Sequence, residues 1–500
     1  MISAESSVID LPDSPVSEAV PAPVPQSPAV PVASTDIFVV QPTSSRRLVE
    51  FLTMFVLTIL FFRAIAVEPF GVPTGSMAPT LIGNHHAVPC PRCGYRVLIG
   101  EPNHAPGGNR IAICSNCGKE DLHPLEYPEI IGDRLLVDKN LWSLRGPRRW
   151  EVAVFRCPSD FSKPYVKRVG GLPGESILVQ NGDIYIDGQL ARKTLAEVRQ
   201  TSIPVMSMDY VPDGVGWSPR WQITAPPATE IGIAPVVIDG SEIHLRGADY
   251  PGQALRLACV NASLDTGKIE AFRDTYAYNG LNHGGAGESV HDFQIACEIE
   301  VLGGHGELAF RLNDGTKEEV VTHLAVDTDD LVQSFLQVDK LLGIRTSRQV
   351  LRPGRRYRFE MSYTDRRVTA ALDGRELFAP VDREIPGLRE EVKMPLTITS
   401  LGVSAAIRHV VLSRDIHYRM SGPNATHLPM KLGEDEYFML GDNSSNSDDS
   451  RSWRIPAVPG KYFLGKPFLI HQPSKLGSVE IGERIRVFQM IDWDRIRLIR

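Results

Sequence analysis

The sequence predicts a mainly β protein entered through a single apolar helix. Three observations carry that expectation. Residues 48–67, LVEFLTMFVLTILFFRAIAV, form an apolar run with no polar face. The rest of the chain alternates apolar and polar residues in short segments broken by Gly, Asn and Asp, and two Cys-x-x-Cys pairs stand among them. At 500 residues the chain exceeds what one hydrophobic core organises, so two to four domains are expected. Hydrophobic residues make up 42% and charged residues 23%, which excludes both a wholly disordered chain and a multi-span membrane protein. A net charge of −7 without a polybasic run argues against a nucleic-acid partner, which would need a basic face.

Residues 1–45 are rich in Pro, Ala, Val and Ser and carry acids but no Lys or Arg. Such a segment buries too little apolar surface to offset its ordering entropy, and it reads as a disordered tail. Residues 46–67 read as a transmembrane helix, because twenty helical residues span about 30 Å, the thickness of a bilayer's hydrocarbon core. A buried core helix is one alternative. A cleaved signal peptide is the better rival, since Ala64-Ile65-Ala66 mimics an A-x-A cleavage site. The anchor is preferred because the preceding segment is long and Arg63 lies directly before that site. Arg46 and Arg47 on the amino side favour a cytoplasmic tail and an exported body.

Beyond the anchor, RLLVDK (134–139), EVAVF (151–155) and SILVQNGDIYIDG (176–188) read as strands, the last a hairpin turning at Asn181-Gly182. Residues 196–431 differ in texture, with FQIACEIEVLG (293–303), GELAFRLNDG (306–315) and RYRFEMSYTDRRVTAALDG (356–374). The last puts Tyr357, Phe359, Met361 and Tyr363 on one face, turns at Asp365-Arg366 and returns through Val368, Ala370 and Leu372. This pattern predicts an antiparallel β-sandwich, concanavalin- or laminin-G-like only in texture, with a ligand that is not legible. Strands resume at EDEYFMLGDN (434–443), so the sandwich is inserted within an outer β domain. No internal repeat is seen.

Cys90, Cys93, Cys114 and Cys117 form a CxxC–x20–CxxC pattern that can direct four thiolates at one tetrahedral zinc, giving a zinc ribbon over residues 83–131. Gly94 and Gly118 follow the pairs, where tight knuckles need them. Two disulfides or a redox pair are the alternatives, and an exported location favours them. Structural zinc is preferred; four cysteines leave no open position for catalysis. His85 and His86 read as surface residues.

One serine, Ser76, stands in EPFGVPTGSMAPTL (68–81) soon after the anchor. Serine needs a base and an oxyanion site, and no His sits in a nucleophilic setting. In YVKRVGGLPGE (165–175), Lys167 ends an apolar strand. A lysine near its ordinary pKa of about 10.4 is protonated at neutral pH, but burial that lowers it toward about 8 makes a usable base. Spacing alone leaves both residues readable as ordinary turn and strand-end positions.

Four blocks in order, EPFGVPTGSMAPTL (68–81), GDRLLVDK (132–139), KRVGGLPGE (167–175) and GDNSSNSDDSR (441–451), resemble type I signal peptidases, Ser/Lys-dyad membrane proteases. The resemblance implies a signal-peptidase-like β-barrel or sheet core over 68–82, 132–195 and 432–500. It further implies Ser76 as nucleophile and Lys167 as general base, with the Ser76 N–H and Thr74 hydroxyl as oxyanion donors. Ser447 would orient the lysine, Asp449 and Arg451 would form a structural ion pair, and Gly441, Asp442 and Asn443 a turn. Phe70, Val72 and Pro73 would meet an extended substrate, the signal peptide of a preprotein with an Ala-x-Ala cleavage site. No catalytic cofactor is implied. The place would be the inner or plasma membrane, single-pass and in contact with lipid, with the catalytic domain on the exported side.

The sequence departs from the family pattern at three places. Arg149-Trp150-Glu151-Val152 stands where Arg-Gly-Asp-Ile/Val is usual, Gly170 replaces a β-branched residue, and Ser444-Ser445 follows Asn443 where Arg-Asp is commoner. Two other readings are an inactive peptidase scaffold that binds through the sandwich, and a self-cleaving repressor, which would need a DNA-binding helix-turn-helix.

Overall fold

The computed structural model describes residues 44–100, 112–228, 232, 234–275, 287–317, 320–326, 333–338, 344–384, 389–481 and 484–499. The expected disordered tail lies, for residues 1–43, outside them. The apolar run folds as a helix, Ser44–Ile65, whose side chains from Leu48 to Phe61 are exposed all round, Phe51 by 65% and Phe61 by 63%. Among the described residues no helix is long and apolar enough to cross a membrane.

The outer β domain is built on an eight-stranded sheet. Its spatial order is Val67–Gly71, Arg134–Asp138, Phe463–Ile470, Val152–Cys157, Asp160–Gly171, Glu436–Leu440 and Ala457–Pro459, with Arg497–Leu498 beside Phe463–Ile470. The expected barrel is not closed, because the two end strands of this order do not pair with each other among the described residues. Alternation puts Leu135, Val137, Val152, Val154 and Ile470 into one core. Beside this sheet, Ser176–Gln180 and Asp183–Ile186 pair as the expected hairpin, with Asn181 (φ +53°) and Gly182 (φ +90°) in the left-handed region such a turn demands.

Residues from Ile203 to Arg414 supply a fourteen-stranded antiparallel network. The two segments read as separate strands, 293–303 and 306–315, are one twenty-residue strand, Phe293–Leu312. It pairs with Arg356–Thr364 in its first half and with Val320–Val326 in its second. Bulges between Val301 and Glu307 mark the point where its partner changes. The Asp365-Arg366 turn is present at φ +49° and +54°, and Tyr363↔Val368, Met361↔Ala370 and Phe359↔Leu372 pair as their common burial requires.

The cysteine region and this network are not separate bodies. Cys90, Cys93, Cys114 and Cys117 share one hydrophobic core with Met206, Met208 and Trp217. Asn116 seals the join by donating to the Ser207 carbonyl at 3.2 Å and accepting from its N–H at 2.6 Å. His85 and His86, read as surface residues, are buried instead. Each ring has a backbone carbonyl as partner, Gly83 at 2.8 Å and Tyr127 at 2.7 Å, and burial lowers His85 to about 4.

A second core joins the outer domain to the insertion. It holds Trp150, Ile177, Val179 and Phe438 together with Ile203, Ile416 and Tyr418. Beside it, Arg168 forms a two-pronged ion pair with Asp442 at 2.7 and 2.6 Å, both side chains almost wholly buried. Removing one member leaves the other charge buried alone, which costs about 3–5 kcal/mol. Asp442→Ala is therefore expected to lose that much unfolding free energy in a denaturant titration at neutral pH. A loss below about 1 kcal/mol, the size typical of an exposed pair, contradicts this role for the pair.

Candidate active site

Ser76 lies in a short 3-10 turn, Gly75–Met77, reached through an extended Thr74. The approach is tied down by the Val72 N–H on the Asp133 carbonyl (2.9 Å) and the Asn84 N–H on the Pro73 carbonyl (3.1 Å). Asp133 also accepts from the Ile82 N–H at 2.9 Å and pairs with Arg495 at 2.8–2.9 Å. The turn is held from the other side by Asn443, whose amide nitrogen donates to the Gly75 carbonyl and whose N–H donates to the Ser76 carbonyl, both at 3.0 Å. Thr74 Oγ1 lies 3.5 Å from Ser76 Oγ.

Lys167 stands on the strand Asp160–Gly171, flanked by Val152–Cys157 and Glu436–Leu440. Only 2% of it is exposed, and its ammonium donates to Ser447 Oγ at 2.9 Å. Burial lowers its pKa to about 8, against the opposing fields of Asp449 and Asp448. Ser76, Thr74, Val72, Pro73, Tyr165 and Lys167 line one cleft of about 210 Å³. Phe70 lies half-buried on the neighbouring edge strand and does not line it.

The segment after Glu436–Leu440 supports this cleft from behind. Asp449 accepts from the Gly441 N–H at 2.9 Å and holds Arg451 through two bonds of 2.9 and 2.7 Å. Burial pushes Asp449 up, but Arg451 outweighs it and keeps the carboxyl below its usual range. A Cβ on Gly441 would stand 2.0 Å from Ser447 Oγ and 2.6 Å from the Ser76 carbonyl, so only glycine lets these segments approach. Gly170 is likewise a contact position, since a Cβ there would lie 2.7 Å from Leu440 Cδ1. Its carbonyl accepts from Arg149 at 2.6 Å, which ties down the strand at that point.

The structure thus brings Ser76, Thr74, Lys167, Asn443 and Ser447 to one place, with Asp442, Asp449 and Arg451 beneath. Sequence reasoning missed Tyr165 and Asp448 in the cleft wall, and Arg168 as the partner of Asp442. Alternation along 165–169 was the available signal for Tyr165, on the same face as Lys167.

The four cysteine sulfurs lie within 4.8 Å of one another, with Cys90–Cys117 at 3.6 Å and Cys93–Cys114 at 3.7 Å. These pairs are too far apart for disulfides. Sulfurs placed about 2.3 Å from a tetrahedral zinc are about 3.8 Å apart, so the cluster is compatible with a structural zinc.

A family model described as signal peptidase, peptidase S26, matches residues 125–214 and 406–471. Over these residues, about a third of its length, the chain is similar to signal peptidases. Lys167, Asp442, Asn443, Ser447, Asp449 and Arg451 lie within the matched residues, whereas Ser76 precedes them. The signal peptidase I of Rickettsia conorii is 29% identical over 135 residues, 27% of this chain and 40% of that protein. A probable signal peptidase I-2 of Synechocystis is 38% identical over 103 residues, 19% of this chain and 40% of that protein. The chain thus spans about 40% of the length of the curated relatives it matches. Among solved structures, the carbohydrate-binding module CBM66 from Bacillus subtilis is 12% identical, covering 39% of this chain and 95% of that chain. Its TM-score of 0.24 carries no functional argument.

The low pKa of Lys167 has a consequence for stability. The unfolded chain holds this proton near pKa 10.4, so folding is penalised on the order of 3 kcal/mol below about pH 8. The penalty fades as pH rises from about 8 to about 10.4. Lys167→Met is expected to raise the unfolding free energy at neutral pH by ~1–3 kcal/mol, with the gain gone above about pH 10. Denaturant titrations across that range check it, and destabilisation at neutral pH contradicts it.

Proposed function

We propose that the protein is a membrane-anchored serine endopeptidase that removes signal peptides from exported preproteins, with Ser76 as nucleophile and Lys167 as general base. The observation that carries this reading is the buried Lys167 ammonium, bonded to Ser447 and lining the same cleft as Ser76. A lysine near pKa 8 is deprotonated often enough at neutral pH to accept a hydroxyl proton, which an exposed lysine is not. Ser76 Oγ attacks the scissile carbonyl as Lys167 Nζ takes its proton. Lys167 returns that proton to the departing amine, and water, deprotonated by the same lysine, hydrolyses the acyl ester. The Ser76 N–H and Thr74 hydroxyl face the developing oxyanion, where one donor is typically worth about 3 kcal/mol. Ser447 orients the lysine, Asp449–Arg451 supports Gly441, Asn443 holds the serine turn, and Asp442 anchors Arg168.

Among the described residues, Val67–Gly71 is an end strand paired on one side, with Arg134–Asp138. An extended signal peptide adds along it, with Phe70, Val72 and Pro73 against its side chains. Shallow pockets select small residues at −1 and −3, hence Ala-x-Ala sites. The exposed apolar helix supports an anchor over 46–67, which keeps Ser76 near the bilayer where signal peptides arrive. The reading places the body on the exported side of an inner or plasma membrane. The catalytic core is 68–82, 132–195 and 432–500, interrupted by a ribbon at 83–131 and a β-sandwich at 196–431.

Ser76→Ala and Lys167→Ala are each expected to abolish cleavage of a purified preprotein by detergent-solubilised enzyme. Wild-type cleavage should rise with pH through about 8, as Lys167 loses its proton. Full activity in either variant contradicts the reading.

Cys90, Cys93, Cys114 and Cys117 hold a structural zinc in this account. Elemental analysis of the purified protein is expected to give one zinc per chain, and a strong chelator should lower its melting temperature. Absence of zinc, with thiols that appear only after reduction, contradicts it.

A further inference from the structure

Trp150 adopts φ +68°, a left-handed conformation that suits glycine and that bulky residues rarely accept. It is nevertheless 97% buried, since only 3% of it is exposed. Its N–H donates to the Val169 carbonyl at 2.8 Å, and its own carbonyl accepts from Arg168 Nη1 at 2.6 Å. Arg168 is the neighbour of Lys167 and the partner of Asp442, which precedes the Asn443 that grips the Ser76 turn. Backbone strain is therefore stored one hydrogen bond away from the arginine that links both halves of the site.

Lys193 holds the Trp150 ring in place. Its ammonium lies 4.2 Å from the ring centroid, bonds both Asp365 oxygens at 3.0 Å and bonds Asp415 at 2.7 Å. Its N–H also donates to Asp365 at 3.0 Å. Both carboxylates belong to the inserted network: Asp365 sits in the turn after Arg356–Thr364, and Asp415 directly follows Leu396–Arg414. A buried ammonium needs all of these partners, so displacing the ring would strip one face from a charge that water cannot reach. Asp365 is itself fixed through its N–H on Asp292, which pairs with Arg389.

We propose that Trp150 is a positioning residue for the lysine strand, and that the inserted β domain holds it there through Asp365, Asp415 and Lys193. This inference rests on the reading of Ser76 and Lys167 as nucleophile and base. The charged groups that act most on Lys167 are Asp449, Asp448, Arg451 and Asp442, and Lys163 lines the same cleft, all outside the insertion. The insertion therefore reaches Lys167 only through packing, by way of Trp150 and Arg168. Loosening that packing admits water and lets the lysine titrate at higher pH.

Trp150→Gly suits the backbone and removes the ring. It is expected to lower kcat for a preprotein about tenfold with KM little changed, and to move the acidic limb of the pH profile up by ~1 unit. Lys193→Gln, which leaves the ring present but unclamped, should move the limb in the same direction. Trp150→Phe keeps an aromatic face and should restore both kcat and the limb. The Lys167 titration, followed by NMR of the 13C-lysine-labelled full chain, reads the same shift without catalysis. A Trp150→Gly protein with the wild-type limb and titration overturns the inference, as does Trp150→Phe behaving like Trp150→Gly. If wild type cleaves no preprotein, the functional reading fails while the titration still decides this one.

Discussion

The chemistry of the candidate site rests on burying the ammonium of Lys167, at a cost in stability. A strand paired on both sides carries it, and a hydroxyl, rather than a carboxylate, receives its hydrogen bond. A carboxylate in direct contact would hold the lysine charged; the serine contact leaves desolvation in control and the pKa near 8. The nearest acids are committed elsewhere, Asp449 to Arg451 and Asp442 to Arg168. Their arginine partners offset these carboxylates in part, and desolvation outweighs what remains of their fields.

The same arrangement explains why the chain tolerates large insertions. The core strands pair with one another across gaps of hundreds of residues, as Arg168 with Leu440 does, so intervening segments need only leave and return. The insertions have not remained independent, however. The cysteine region shares its core with the fourteen-stranded network, and that network shares another with the strands beside the Lys167 cleft. The outer domain and its insertion are therefore expected to lose structure together, rather than as separable modules.

Much of this was legible in the sequence, where local chemistry decides. Asn181-Gly182 and Asp365 announce turns because Asn, Gly and Asp accept left-handed backbone, and period-two alternation identified the buried face around Met361. Ser76 and Lys167 were legible only through their motif blocks, since nothing in a lone serine or lysine reveals burial. Tertiary context set the rest. His85 and His86 look like surface residues until their backbone partners are known. The split of Phe293–Leu312 into two strands followed from glycines that mark bulges here rather than an end. Trp150 stood out only as a departure from the usual Arg-Gly-Asp stretch, because its meaning lies in a dihedral angle and in contact with Lys193.

The central claim is that Ser76, activated by the buried Lys167, forms an acyl bond with its substrate. Rapid quenching of the full-length protein with a preprotein bearing an Ala-x-Ala site, followed by peptide mass mapping, tests it most directly. A signal-peptide acyl adduct is expected on the peptide containing Ser76 and is expected to be absent from the Lys167→Ala protein. An adduct on another residue, or continued cleavage by Ser76→Ala protein, would contradict it.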